Sequence, residues 1–446
     1  MPKPTPAPLL QPKLKLPAPA TVIDLDRQIA AAERLPPTQI HTRQLAQVAR
    51  LAQHFANQSP RFAERLRAAR LTPADLARKT GFTALLPMDR RWLQQSQGLF
   101  AATLPPGHEP RGTNSTSGST GEPVTVQRSH VMQLIWLANI AREHRWRGSD
   151  FAMPLASIRA HIDAPRALPG WGPPADFLAT TGPSVSLPIT WDAEQLYEYL
   201  RDYRPGNLLI YPTTLTALID IAAARGPFLP AGAMIRTIGE TVTPHLRGRC
   251  QTVLGTSIQD TYSSQEIGHI AIQCPDYQTY HTAAESVLVE VLHPDGTPCQ
   301  PGETGAVVIT DLANTATPLI RYKIGDHAEM GSPCPCGRTS PTLRKIMGRE
   351  RNMIVKPDGT RHWPLVGFDR FRDLAPVRQY QLIQHDPDQI EARFATTRPV
   401  TPTEETALRA HLHTALGHPF TLTLRYYTED LPGSRTGKFE EFLRLF

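Results

Sequence analysis

The chain has 446 residues, of which 40% are hydrophobic and 20% charged. This ordinary globular mix excludes wholesale disorder and leaves room for one large domain plus a smaller one. Its 47 basic and 41 acidic residues give a formal charge of +6, which favours an anionic ligand but is too mild and dispersed for a nucleic-acid binder.

Proline is the outlier at 44 residues, about twice the usual share, so many connections should be stiff. No apolar run approaches the roughly 20 residues that span a bilayer, which predicts no membrane partner. Met1–Ala20 is rich in proline and lysine and has no acid, and Leu9-Leu10 is too short for the apolar core of a signal peptide. Residues 1–20 therefore read as a flexible or polyproline-like tail, and the chain as cytoplasmic. Five cysteines, an odd count in so long a chain, argue against a disulfide scaffold.

From residue 22 to about 100 the pattern is helical. Leu45, Val48, Ala52 and Phe55 fall on one helix face, and Asn57-Gln58-Ser59-Pro60 ends that helix. Thr72-Pro73-Ala74-Asp75 is a helix start, with Thr72 as cap. Beyond about 110, short β-rich runs alternate with helical ones. Leu208–Tyr211 reads as a strand before the helical Thr213–Ala224, and Met234–Ile238 as a strand before Gly239-Glu240 and another helix. Such alternation implies βαβ units and a mostly parallel sheet. Ser286–Leu292 and Gly305–Thr310 flank a His293-Pro294-Asp295-Gly296 turn and predict an antiparallel hairpin. The last hundred residues mix short strands with the amphipathic helix Thr403–Leu416. The expected fold class is α/β: a large, multi-subdomain N-terminal domain (21–348) with parallel and mixed sheets, then a small, mobile α+β domain (349–446).

Five segments carry chemistry. Thr116-Ser117-Gly118-Ser119-Thr120-Gly121-Glu122-Pro123 is dense in glycine, which lets backbone N–H groups approach a phosphate, and in hydroxyl donors. Glu122 rules out the Gly-Lys-Ser/Thr of an NTPase P-loop, and a plain flexible Gly/Ser loop is the alternative. Asp260-Thr261-Tyr262-Ser263-Ser264-Gln265-Glu266 ends a β-rich stretch, where open α/β sheets bind ligands. Arg321-Tyr322-Lys323-Ile324-Gly325-Asp326 offers an acid after a glycine turn. Gly348-Arg349-Glu350-Arg351-Asn352 stands where the small domain begins, and Ser434-Arg435-Thr436-Gly437-Lys438 lies just before the C-terminus.

Taken in this order, the five resemble the adenylate-forming superfamily of acyl- and aryl-CoA ligases, adenylation domains and luciferases, most nearly its phenylacetate–CoA ligase branch. The resemblance runs from about Leu45 to Phe446 and includes Leu-Thr-Pro-Ala-Asp-Leu at 71–76 and Pro318-Leu319-Ile320-Arg321-Tyr322. It implies that the 116–121 loop holds the β- and γ-phosphates of ATP. Tyr262, between Asp260 and Ser263 in the same nucleotide-binding segment, would stack near the adenine, with Gly239-Glu240-Thr241 on its other side. Glu266 would bind Mg²⁺, whose preference is for hard carboxylate oxygens. Asp326, helped by Arg349, would hold the ribose hydroxyls. Lys438 would bridge the substrate carboxylate and the α-phosphate, and Arg351 would be the hinge about which the small domain swings between two half-reactions. Trp136, His144 and Trp146 lie in a helical stretch that can line the acyl pocket in this family, although packing is the plainer role. Three positions depart from the family pattern: Glu122 where lysine is frequent, Ser263 in place of glycine, and Gln265 in place of threonine or serine.

Three cysteines and one histidine, Cys274, His281, Cys334 and Cys336, make a tetrahedral zinc set with no position left for water, so the role would be structural. The alternative is four reduced, unpaired side chains. Cys250 and Cys299 read as plain thiols. The function expected is ATP-dependent activation of a carboxylic acid, aromatic by resemblance, as an acyl-adenylate, followed by transfer to the thiol of coenzyme A. A carrier-protein thiol or an amine is the alternative acceptor, a non-catalytic nucleotide-binding relative is the rival that Glu122 and Gln265 motivate, and the resemblance also allows a homodimer.

Overall fold

The structure is a computed structural model that describes residues 6–95, 97–116, 124–160, 162–349, 353–362, 368–429, 431 and 441–446. The chain divides into two compact units, Met1–Ile346 and Met347–Phe446.

The first unit opens with the helices Ala18–Ala32, Pro37–Gln58 and Pro60–Ala68. Prolines sit in the first turn of each, where the missing N–H costs nothing. Leu45, Val48, Ala52 and Phe55 form the buried face and pack on Phe62, Leu66, Leu76 and Phe82. Ser59 ends one helix and caps the next, accepting from the Phe62 N–H at 3.3 Å. The Thr72 start carries its capping box with Asp75 but yields a single 3₁₀ turn, Pro73–Ala77, before the helix Lys79–Ala84.

The expectation of a flexible tail over residues 1–20 is corrected for residues 6–20, the part that is described. The first helix already begins at Ala18, and the segment before it is packed: Leu9 and Leu10 are buried, Leu9 against Ala32, Ile40 and Ala284, and Leu10 among Val22, Leu25 and Ile29. The Gln11 N–H donates to Gln28 at 2.7 Å, and Lys13 pairs with Asp24 at 3.0 Å. Two adjacent leucines thus suffice to tie down a proline-rich stretch, because each full burial is worth roughly 1.5–3 kcal/mol.

Among the described residues, twelve strands make the principal sheet. On one side Ser184–Pro188, Leu155–Arg159, Asn207–Ile210, Met234–Thr237 and Ile258–Ser264 run parallel, with Arg166–Leu168 antiparallel at the edge. Helices such as Ala193–Tyr203 and Pro212–Arg225 cover this half, giving a core of Leu196, Leu200, Leu208, Leu215, Leu218 and Ile235. On the other side Gly268–Gln273, Tyr280–Thr282, Thr342–Arg349, Tyr322–Met330, Thr304–Asp311 and Val287–Leu292 follow, antiparallel where paired registers are described. The hairpin expected near 286–310 is the last of these pairs. Ile258–Ser264 is the seam: parallel to Met234–Thr237 on one edge, antiparallel to Gly268–Gln273 on the other. Ligands of open α/β sheets gather outside the carboxyl ends of the parallel strands, and Ser264 is the carboxyl end of this one.

The second unit holds a four-stranded sheet. Val377–Asp386 and Gln389–Thr396 form an antiparallel pair, flanked by parallel Phe442–Arg444 and Thr421–Tyr427. The helix Pro402–Leu416 buries Leu408, Leu412 and Leu416 and starts at a Thr401–Glu404 capping box. No helix among the described residues is long and apolar enough to cross a membrane.

Candidate functional site

The seam strand positions the first group of side chains. Asp260 is buried, and both of its carboxylate oxygens are taken. Thr237 Oγ1 donates to Oδ1 at 2.7 Å and the Tyr280 hydroxyl to Oδ2 at 2.7 Å. Burial pushes the Asp260 carboxyl up, and those two hydroxyls pull it back. The Tyr262 hydroxyl donates to Asp326 Oδ2 at 2.7 Å, so the tyrosine expected beside the base and the acid expected at the ribose stand together.

After Ser264 the chain turns. Ser264 Oγ accepts from the Ile267 N–H at 3.2 Å, and Gly268 takes φ +87°, a left-handed value that suits glycine. This tight turn drives Glu266 inward to 1% exposure. Arg90 Nη1 approaches its Oε1 at 3.9 Å, beyond hydrogen-bond reach, and that oxygen has no hydrogen-bond partner among the described residues. A buried carboxylate oxygen left so is costly unless a cation or donor arrives. A hard oxygen of this kind fits Mg²⁺.

The other expected residues are placed as follows. Gly239 has φ +79°. Glu240 next to it accepts from the Thr213 N–H at 2.9 Å and the Thr213 hydroxyl at 3.1 Å, capping the helix Pro212–Arg225. Thr241 is exposed and Ser263 half-buried. Thr116 ends the strand Arg111–Thr116, whose antiparallel partner Val124–Ser129 frames the glycine-rich loop. Arg349 ends the strand Thr342–Arg349. Ser117, Gly118, Ser119, Thr120, Gly121, Arg351 and Lys438 lie outside the described residues.

A second, wholly buried group was not legible from motifs. Glu143, on the helix His130–Arg147, meets Arg147 at 3.6 Å, Arg236 at 3.5 Å and His269 Nε2 at 3.3 Å, and accepts from the Thr261 hydroxyl. Burial alone would raise its carboxyl, but Arg147, His269 and Arg236 hold it well below the usual carboxylate range. Arg236 is pulled down to about 10 by burial. One sequence signal pointed here: an arginine inside Met234–Thr237, a short parallel strand where apolar residues are the rule.

The four metal-type side chains do converge. The ligand atoms of Cys274, His281, Cys334 and Cys336 all lie within 4.8 Å of one another. Cys334 Sγ is 3.9 Å from Cys274 Sγ, and Cys336 Sγ is 3.3 Å from His281 Nε2. A tetrahedral zinc with bonds of about 2.3 Å places sulfurs about 3.8 Å apart, so the set fits zinc. Ser340 Oγ sits 3.4 Å from His281 Nδ1, which leaves Nε2 as the inward nitrogen. Burial pushes the Cys334 thiol up to about 12 and His281 down to about 4. Gly337 completes the knuckle at φ +82°, with Arg34 Nη1 2.5 Å from where a Cβ would lie.

No protein-family model matches the chain. Among curated proteins it is 27% identical over 265 residues to the phenylacetate-coenzyme A ligase of Thermus thermophilus, covering 58% of each chain. It is 25% identical over 251 residues to that of Escherichia coli, covering 54% of this chain and 56% of the relative. The match therefore spans a little over half the length of these relatives. Among solved structures, 2-hydroxyisobutyryl-CoA ligase in its postadenylation state matches with a TM-score of 0.73 at 17% identity, over 93% of this chain and 91% of the other. Anthranilate CoA ligase AuaEII, in complex with anthranoyl-AMP, matches with a TM-score of 0.53 at 14% identity, over 73% and 64%. The chain has the fold of the adenylate-forming ligases and is similar in sequence to phenylacetate–CoA ligases, the resemblance that the order of its motifs suggests.

Proposed function

We propose that this protein activates a carboxylic acid, aromatic in the first instance, by adenylation with ATP, and then passes the acyl group to the thiol of coenzyme A. The observation that carries the reading is the seam itself: Tyr262 bonded to Asp326, with the under-coordinated Glu266 buried four residues on. The relatives named phenylacetate-coenzyme A ligase support it.

Two anions must meet in the first step, and negative charge spreads over phosphate oxygens in its transition state. Cations placed in advance offset that repulsion. Lys438 is proposed to stand between the substrate carboxylate and the α-phosphate. The 116–121 loop holds the outer phosphates, Tyr262 and Gly239-Glu240-Thr241 enclose the adenine, and Asp326 with Arg349 holds the ribose. A magnesium ion on Glu266 would neutralise phosphate charge. No general base is required, since a carboxylate is ionised at pH 7. Rotation of the small domain at Arg351 would withdraw Lys438 and admit the second nucleophile. The Cys274, His281, Cys334 and Cys336 set would hold a structural zinc that pins 332–340 to the sheet.

The test is a panel of aryl and aliphatic acids with ATP, Mg²⁺ and coenzyme A. The expected result is pyrophosphate and AMP formed only with a particular acid, and its thioester seen by mass spectrometry. ATP turnover indifferent to every acid, or an acyl-adenylate that reacts with amines but not with coenzyme A, would contradict this reading.

A further inference from the structure

The loop that joins Val287–Leu292 to Thr304–Asp311 gathers a second set of metal-type side chains. The ligand atoms of His293, Cys299 and Glu303 all lie within 4.8 Å of one another. His293 Nε2 stands 3.0 Å from Glu303 Oε2. Cys299 is a free thiol, 7% exposed, whereas the side chains of His293 and Glu303 are 33% and 47% exposed. The set is therefore buried on its sulfur side and open to solvent on its nitrogen and oxygen side.

The loop holds these three positions through its own backbone. The His293 N–H donates to the Thr297 carbonyl at 2.9 Å, and the Gly296 N–H donates back to the His293 carbonyl at 2.9 Å. Asp295 Oδ1 accepts from the Thr297 N–H at 2.9 Å and from its hydroxyl at 2.7 Å, which closes the turn. The Cys299 N–H donates to the Val291 carbonyl at 2.8 Å and so anchors the cysteine to the strand. Glu303 Oε2 accepts from the Gln300 N–H at 2.6 Å, which orients the carboxylate. Gly305 makes room for the sulfur: a Cβ there would stand 2.6 Å from Cys299 Sγ, and 2.4 Å from the Leu292 carbonyl oxygen. A part-exposed histidine–glutamate pair contributes little by itself. What sets this pair apart is the thiol brought up beside it.

The ligand types select the ion. Thiolate and imidazole suit Zn²⁺ and its neighbours in the first transition row, and are poor partners for Mg²⁺ or Ca²⁺. Bonds of about 2.0–2.3 Å in a tetrahedron place ligand atoms roughly 3.3–3.8 Å apart, a spacing that these three atoms reach by small side-chain rotations. Three protein ligands leave a fourth position, and the exposed side of the set gives it to water.

We propose that His293, Cys299 and Glu303 form a second metal site, which binds Zn²⁺ through one imidazole nitrogen, one thiolate and one carboxylate oxygen. The Cys299 proton leaves to solvent as the metal–sulfur bond forms, and the metal takes the place of the hydrogen bond between His293 and Glu303. The site is separate from the set of Cys274, His281, Cys334 and Cys336, and it does not depend on the adenylation reading. An ion held by three ligands at the surface exchanges with the medium, so exhaustive buffer exchange removes it.

The test uses the full chain with Zn²⁺ or Co²⁺ alone as probe. At equilibrium dialysis the wild type should hold one metal ion per chain more than Cys299→Ser, whatever the other cysteines retain. With Co²⁺, the difference spectrum between the two should show thiolate-to-cobalt charge transfer and the strong visible bands of a tetrahedral ion. His293→Ala and Glu303→Gln keep the sulfur and should each weaken this binding at least about tenfold, the loss that even an outer-shell partner causes. Excess Mg²⁺ should displace none of it. Equal metal content in wild type and Cys299→Ser would overturn the proposal. So would a charge-transfer band that neither His293→Ala nor Glu303→Gln weakens, since the thiol alone would then hold the ion, and so would displacement by Mg²⁺. Should Cys299→Ser fail to fold, the other two variants, altered on the solvent side of the loop, decide by themselves: tenfold weaker binding supports the site and unchanged binding overturns it.

Discussion

Asp260 and Glu266 lie six residues apart on one strand and its turn, and both are buried. The first has a hydroxyl on each oxygen at 2.7 Å; the second has an oxygen with no hydrogen-bond partner among the described residues and its guanidinium neighbour at 3.9 Å. Equal burial with opposite satisfaction separates scaffold from site. A satisfied buried acid braces the sheet, here tying the parallel strand of Thr237 to the antiparallel strand of Tyr280. An unsatisfied one costs stability that a folded chain retains only if a ligand repays it.

That contrast breaks most sharply under substitution. Lys438→Ala should lower acid-dependent pyrophosphate release by about 100- to 1,000-fold, the range for losing one preorganised charge partner of a transition state. Glu266→Gln should lower release by about 100-fold, while its urea midpoint stays level or rises, because a buried charge is removed. An unfolded Glu266→Gln protein would end the distinction. Asp260→Ala should show the reverse priority. It strands the Thr237 and Tyr280 hydroxyls, and at about 1–3 kcal/mol each the midpoint of urea unfolding should drop markedly. A stable Asp260→Ala protein with lost turnover would make Asp260 a ligand contact after all.

The Cys/His cluster sharpens the same comparison, since Cys274, His281 and Cys334 are buried and all four ligand atoms converge. Zinc measured after exhaustive buffer exchange should stand near one per chain, and Cys334→Ser should lose it together with several degrees of unfolding temperature, while the protein that stays folded retains acid-dependent turnover. A zinc content near zero in the native protein would remove the metal.

The smallest effect concerns His144. Burial, aided by Arg236, pulls its pKa down to about 3, so the ring is neutral in the fold and charges on unfolding. Its contribution is complete above about pH 6.5 and is lost as pH falls toward 3, at up to about 1.4 kcal/mol per pH unit. Wild type and His144→Phe, compared by urea unfolding between pH 7 and 4, should differ in slope, the variant being shallower. Parallel slopes would mean that another group sets the acid sensitivity.

How much of this was readable beforehand depended on whether a feature is local in the chain. Pro212 at the start of Thr213–Ala224, the Asp-Gly turn before Thr304–Asp311, and the apolar spacing of Thr403–Leu416 act within a few residues, and the elements they signal are present. The cysteine and histidine set was legible by residue type, because few other uses need those groups together. Leu9-Leu10 was misread as tail, since the surfaces that bury it come from Ile40 and Ala284. The Glu143, Arg147, Arg236 and His269 group joins a helix to strands far along the chain. Each member alone passes for a surface charge or a turn residue, and only the fold shows which of their hydrogen bonds are unmade.

The most direct measurement is exchange of labelled pyrophosphate into ATP, catalysed by the wild-type chain with Mg²⁺ and one acid at a time. Reversible adenylation predicts exchange that requires the acid, vanishes in Lys438→Ala and needs no coenzyme A. Exchange without any acid, or ATP consumed to ADP with no label returned, would contradict carboxylate adenylation at this seam.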